Sequence, residues 1–175
     1  GGREGTASRA CPKGGGMGGR QLAPDRRYTA PDGSSLVLSG RGLGLVRNVG
    51  HHRCTDAVVD STGHAIPEGV LDAAITAAIA LHDLRGNSST VNSRTGSIYI
   101  VKPQMHGGEE VALSNALFDR AEQMLDLPPN TIKLGILDEE RRTRANLAAC
   151  NHAARNPAVL TNPGFLDRPA HGLHY

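Results

Sequence analysis

Residues 97–139 read SIYIVKPQMHGGEEVALSNALFDRAEQMLDLPPNTIKLGILDE, the pattern of one strand, one helix and a second strand. Ser97-Ile98-Tyr99-Ile100-Val101-Lys102 is of strand length and rich in β-branched and aromatic residues. Glu109-Glu110 then place negative charge in the first turn of a helix, where the macrodipole favours it. That helix is expected to bury Leu113, Leu117, Ala121 and Met124. Thr131 to Leu137 supplies the next strand.

The same alternation extends on both sides. Upstream, Leu43-Gly44-Leu45-Val46-Arg47-Asn48-Val49 is a short apolar run of strand length. Pro67 suits the first position of a helix in which Leu71, Ile75 and Ile79 recur at i, i+4 spacing, flanked by Val70, Ala74 and Ala78. Downstream, a polar helix is expected from Thr143 to about Arg155, and Pro157-Ala158-Val159-Leu160-Thr161 is a fourth strand. Strand, helix, strand in repetition gives an α/β fold with parallel strands joined by right-handed crossovers. Four such strands fit an open sheet or half of a barrel, and periodicity does not choose between them.

Before Leu43 the pattern is different. Arg27-Tyr28-Thr29 and Ser35-Leu36-Val37-Leu38 flank Pro31-Asp32-Gly33, a turn signal in which proline fixes φ and glycine is free to take φ > 0. Gly40 to Gly44 closes this small β segment. Residues 1–19, with the Gly14-Gly15-Gly16 run, hold too few apolar side chains to repay the entropy of ordering by themselves. The chain of 175 residues is long enough for one ordinary domain with a real core. Because it begins without Met, it is expected to be an internal piece of something longer.

Composition excludes several classes of function. A formal charge of +2, with acidic and basic residues intermixed, gives no reason to expect nucleic acid as a partner. No run of about 18 apolar residues is present to cross a membrane, and the N-terminal stretch lacks the apolar core of a signal peptide. Cys11, Cys54 and Cys150 form no CxxC pair and read as reduced thiols of a cytoplasmic protein.

The polar residues of interest gather at one place in each unit. Arg47, Lys102, Asp138-Glu139 and Asp167 lie at or just beyond the C-terminal end of a strand, the edge where barrels and open α/β sheets alike carry their sites. Glu139 shares side-chain parity with Leu137 and Gly135. Glu139 and Asp167 are candidate metal ligands, and two hard carboxylates favour Mg²⁺ over Zn²⁺. The competing reading makes them surface ion-pair partners of Arg141 or Arg142. Arg47 offers a planar, permanently charged fork for a carboxylate or a developing oxyanion. Asn162-Pro163-Gly164-Phe165-Leu166-Asp167 can turn successive N–H groups toward an anion.

Other conspicuous residues have plainer explanations. Arg141-Arg142 are expected to pair with Asp138 or Glu140, and His51-His52 to be structural loop residues. Cys54 and Cys150 are expected to be inert. Gly40-Arg41-Gly42-Leu43-Gly44 is no phosphate loop, since no Lys-Ser/Thr follows it.

Several longer motifs occur together in order: Val46-Arg47-Asn48-Val49-Gly50-His51, Asn92-Ser93-Arg94-Thr95-Gly96-Ser97, Ile100-Val101-Lys102-Pro103, Met105-His106-Gly107, Asp138-Glu139-Glu140-Arg141-Arg142-Thr143 and Gly164-Phe165-Leu166-Asp167-Arg168. In this set the chain resembles malate synthase of the G isoform, from about Lys13 to Arg168. The resemblance implies an eight-stranded β/α (TIM) barrel, of which this chain would hold a partial barrel of about four strand–helix units over residues 43–175. Residues 1–42 would belong to a small β segment from an inserted α/β domain. It also implies condensation of acetyl-CoA with glyoxylate and water to malate and CoA, the glyoxylate-bypass step, in a Mg²⁺-dependent, monomeric, cytoplasmic enzyme.

By position, Glu139 and Asp167 would be the Mg²⁺ ligands and Arg47 the catalytic arginine. Glyoxylate would be held by Arg47, Glu139, Gly164, Phe165, Leu166 and Asp167, and Arg20 would contact acetyl-CoA. Pro163 stands where the family has Thr, and residues 169–175 depart from the family's Thr-Gly-Asp-Glu continuation. The family's aspartate base lies further along than this chain reaches, so the chain by itself is expected to be inactive. A related barrel acyl-CoA lyase and a non-catalytic fragment are the alternative readings.

Overall fold

The computed structural model describes residues 8–13, 16–21, 24–40, 42–87 and 91–162, with side chains from residue 24 onward. The chain divides into two compact units, Gly1–Gly44 with Ser88–Asn92, and Leu45–Asn87 with Ser93–Tyr175.

The first unit is built from hairpins. Strands β1 (Ser8–Lys13) and β2 (Gly16–Gln21) pair antiparallel, as do β3 (Arg26–Thr29) and β4 (Ser35–Leu38). The second hairpin is the one its turn residues announce. Gly33 takes φ +82°, and Asp32 Oδ1 accepts from the Ser34 N–H at 2.9 Å and the Ser34 hydroxyl at 2.7 Å. The first hairpin corrects the expectation of a stretch too apolar-poor to order. An antiparallel ladder satisfies N–H and C=O groups whatever the side chains, and here Arg9 lies opposite Arg20.

The second unit contains β5 (Val46–Arg47), β6 (Cys54–Val59), β7 (Ala65–Pro67), α1 (Glu68–Leu84), β8 (Ile98–Lys102), α2 (Gly108–Met124), β9 (Ile132–Leu137), α3 (Arg141–Ala145), α4 (Leu147–Ala153) and β10 (Ala158–Asn162). Strands β5, β8, β9 and β10 form one parallel sheet in the order β10-β9-β8-β5. Each strand therefore lies beside its predecessor in the chain. A doubly wound sheet reverses its order at a switch point, whereas a β/α barrel adds strands in sequence. The order is that of an arc of barrel, and the described strands do not close it.

One face of this sheet is the core. Ile98 and Ile100 of β8 and Ile132, Leu134 and Ile136 of β9 pack with Ala73 and Ala77 of α1, Val111, Phe118 and Ala121 of α2, and Cys150 and Ala154 near the end of α4. The helix faces turned inward follow the apolar spacing only in part. Helix α1 buries Gly69, Ala73 and Ala77, leaving Ile75 and Ile79 outward, Ile79 with 64% of its surface exposed. Ala77 and Ile79 are two residues apart, roughly 200° around the helix, so these are opposite faces. Small side chains let the helix approach the sheet closely. An i, i+4 count cannot tell that face from the aliphatic one. Helix α2 buries Val111, Ser114, Phe118, Ala121 and Glu122 and packs Leu117 against the core, so Leu117 and Ala121 lie inward as expected, while Leu113 is 55% exposed and Met124 also faces outward.

Two further departures have local causes. The expected polar helix is broken into α3 and α4 at Asn146, whose side-chain N–H donates back to the Arg142 carbonyl at 2.9 Å. The β6–β7 hairpin was not expected. Its turn is set by Asp60 Oδ1, which accepts from the Thr62 and His64 N–H groups at 2.8 and 3.0 Å, with Gly63 at φ +85°.

Buried Glu122 has a clear structural task, since its carboxylate accepts from the N–H groups of Asn130 (2.9 Å) and Ile132 (2.6 Å) at the entry to β9. The two classes of helix position should separate in urea denaturation. Phe118→Ala is expected to cost about 3–5 kcal/mol, and Leu113→Ala, on the outward face, within about 0.5 kcal/mol of no change.

Candidate active site

Register decides which side chains meet. Arg47 pairs with Val101, Val101 with Gly135, and Gly135 with Leu160, while Leu137 pairs with Asn162 one step further on. Partners in a parallel sheet point to the same side. Arg47, Val101, Gly135, Leu137, Leu160 and Asn162 therefore share the face turned away from the helices. Glu139 follows Leu137 by two residues, and its Oε1 lies 3.4 Å from Arg47 Nη2. The guanidinium side chain is 57% exposed and the carboxylate side chain only 11%. Arg47 and Glu139, read from sequence as residues of one site, are thus brought together from strands that are not neighbours.

Residues of opposite parity point among the helices. Asp138 is buried and accepts from Arg144 Nε at 3.0 Å, while its N–H donates to the Asn162 carbonyl at 3.0 Å. Glu140 pairs with His106 at 3.8 Å. Arg141-Arg142 were expected to pair with Asp138 or Glu140, and for Asp138 the described partner is Arg144. The partner is one helical turn further along, where Arg144 can reach back over α3 to the strand end. Lys102, named with the strand-end polar residues, is fully buried on the helix side and does not share the face of Arg47.

The loop after β8 is tied to the helices. The Thr143 hydroxyl donates to the Met105 carbonyl and accepts from the Gly107 N–H at 3.0 Å. His51 is more than a loop residue, because its Nε2 lies 2.8 Å from the buried Ser114 hydroxyl. Burial, reinforced by the charge of Lys102, holds the His51 imidazole below its ordinary range, against the opposing pull of Glu110. His52 meets His106 edge to face, with ring centroids 5.4 Å apart. Burial pushes the Cys150 thiol up, which keeps it protonated and inert.

Sequence reasoning missed Asp72, whose Oδ2 accepts from the Val49 N–H at 2.8 Å. The signal was present as Asp72 and Thr76, an i, i+4 polar pair in an otherwise Ala- and Ile-rich helix.

Gly164, Phe165, Leu166 and Asp167 lie outside the described residues. Arg20 lies in β2, and its side chain is outside the description as well. Among the described residues no three His, Cys, Asp or Glu side chains cluster closely enough to hold a metal. Among the described residues Glu139 offers a hard, largely buried carboxylate beside the arginine, and that donor suits a hard cation.

A family model for malate synthase, TIM barrel domain, matches residues 43–174. The chain belongs to the malate synthase TIM-barrel family. Malate synthase G of Halalkalibacterium halodurans is 47% identical over 171 residues, which is 98% of this chain and 24% of that relative. The proteins of the same name from Corynebacterium efficiens and Corynebacterium glutamicum are each 46% identical over 155 residues, 89% of this chain and 21% of theirs. The chain thus spans about a quarter or less of the length of the relatives it matches. Its four parallel strands are a partial malate synthase barrel, and the Arg47–Glu139 pair sits at the C-terminal edge where such a barrel carries its chemistry.

The depressed imidazole gives a pH prediction for this malate synthase segment. Below the ordinary value of 6.5 the unfolded chain takes up a proton that folded His51 resists, so the fold loses stability as pH falls. Urea midpoints compared between about pH 7.5 and 5.5 should fall more for the native protein than for His51→Gln. Equal slopes would remove His51 from the acid sensitivity.

Proposed function

We propose that the protein carrying this chain is a Mg²⁺-dependent malate synthase. It condenses acetyl-CoA with glyoxylate and water to give malate and CoA, as a monomeric cytoplasmic enzyme of the glyoxylate bypass. The carrying observation is the approach of Arg47 to Glu139 on the open face of the parallel sheet. A permanently charged cation and a largely buried carboxylate at one strand edge are the parts that an anionic aldehyde substrate and its metal require.

In this reading Glu139 and Asp167 hold the Mg²⁺, which supplies Lewis-acid polarisation of the glyoxylate aldehyde when bound. Arg47 binds the glyoxylate and stabilises the negative charge that develops as the acetyl methyl loses its proton. The backbone N–H groups of Gly164, Phe165 and Leu166 orient the substrate carboxylate, and Arg20 holds acetyl-CoA. Proton removal needs a further carboxylate base, since Glu139 and Asp167 serve the cation. Residues up to Gly42 belong to an inserted domain, and the barrel resumes at Leu43.

The test is thiol release from acetyl-CoA by the intact protein, dependent on glyoxylate and Mg²⁺. Arg47→Lys is expected to lose about 10²–10³ in kcat, and Glu139→Gln and Asp167→Asn to abolish the metal dependence with the activity. Full activity in Asp167→Asn would sink the metal assignment. Cleavage of malyl-CoA without condensation would make the site that of a related lyase.

A further inference from the structure

We infer that buried Lys102 and half-buried Asp72 together form a clamp that positions Arg47, which makes both of them positioning residues for the site proposed above. Strand β5 is only two residues long and ends on Arg47. One more sheet hydrogen bond follows, from the Asn48 N–H to the Val101 carbonyl at 3.0 Å. Beyond it the backbone is held from the helix side. Asp72 Oδ2 takes the Val49 N–H at 2.8 Å, and the buried Asn48 Oδ1 accepts from the Thr76 hydroxyl at 3.4 Å.

Lys102 stands behind this arrangement. Its side chain is fully buried, and its Nζ has no hydrogen-bond partner among the described residues. The ammonium occupies the notch left by Gly69 in the first turn of α1. A Cβ on Gly69 would lie 2.8 Å from Lys102 Nζ and 3.3 Å from the Gly50 carbonyl oxygen. The ammonium thus sits against the loop that leads out of Arg47. Burial lowers its pKa, and the negative charge of Asp72 opposes that shift.

A buried ammonium without a hydrogen bond is a poor way to stabilise a fold. An apolar side chain of similar volume there is often neutral or better for stability. Its contribution is better explained by what it fixes. With Asp72 it draws α1 and the Val49-Gly50 backbone together, and so sets where the end of β5 presents the guanidinium.

Because the inference rests on the malate synthase reading, the experiment needs one arm that does not use turnover. In the intact protein, Lys102→Met keeps the volume and removes the charge. It should lower kcat by about 10- to 100-fold, the scale of a misplaced catalytic group, while leaving the urea midpoint unchanged or raised. Asp72→Asn keeps an amide oxygen for the Val49 N–H and should act in the same direction. In an Arg47→Ala background Lys102→Met should cost nothing further, because the group it positions is gone. An equal loss in both backgrounds, or no loss in either, overturns the inference. Amide exchange is the independent arm, with faster exchange expected at Asn48–Gly50 in Lys102→Met and none at β9. If the intact protein has no synthase activity, the functional reading fails alone. Unchanged exchange at Asn48–Gly50 would then overturn the clamp by itself.

Discussion

The register of four parallel strands is the constraint on which the rest of this structure depends. Arg47 opposite Val101, and Val101 opposite Gly135, commit alternate residues of every strand to one face or the other. A slip of one residue would exchange the two sets completely. Asp138 and Glu139 show the consequence at its sharpest, as neighbours in sequence that point to opposite sides of the sheet. Gly135 helps the open face to close up. A Cβ there would come within 3.0 Å of Val101 and 3.4 Å of Leu160, so its absence lets the neighbouring strands' side chains meet above it.

The face toward the helices bears an unusual polar load for a core. Lys102, Asp138, Ser114, Thr143 and Glu122 are buried there beside the aliphatic residues. Most of these groups link an element end to something else: Glu122 to the start of β9, Thr143 to the loop after β8, and Asp138 to α3. Buried polar groups are costly unless satisfied; Glu122 and Thr143 find backbone partners at strand ends and loops and Asp138 finds Arg144, whereas Lys102 Nζ has no hydrogen-bond partner among the described residues. Strand ends of the sheet are thereby tied to the helices and loops around them.

Much of this was legible in the sequence. Strand-length apolar runs, the acidic first turn of α2 and the Pro31-Asp32-Gly33 turn each have a direct local cause, and each led to the right element. Arg47 and Glu139 could be placed at one edge of the sheet because strand-end position and parity are local properties. Asp72 and Lys102 were harder, because their roles depend on a helix packing across a strand end. The buried faces of α1 and α2 were legible only in part for a related reason. Apolar spacing records which residues recur, but the distance between helix and sheet decides whether Ala77 or Ile79 turns inward.

The two ion pairs at the end of β9 carry different physical meaning. Asp138 and Arg144 are in close contact with the carboxylate buried, and removing the arginine would strand that charge. Arg47 and Glu139 are further apart, with most of the arginine in solvent. Such a pair typically contributes about 0–1 kcal/mol, too little to explain its place by stability. An exposed guanidinium held beside a largely buried carboxylate is a costly way to tie β5 to β9, because β8 already joins them through backbone hydrogen bonds. What the pair does provide is a fixed positive group and a hard anionic oxygen a few ångströms apart on the open face. Under the proposed function, that polarity serves a small ligand that is itself anionic at one end and takes a metal at the other. The adjacent carboxylate, Asp138, spends its charge on keeping the strand end in place so that this polarity holds.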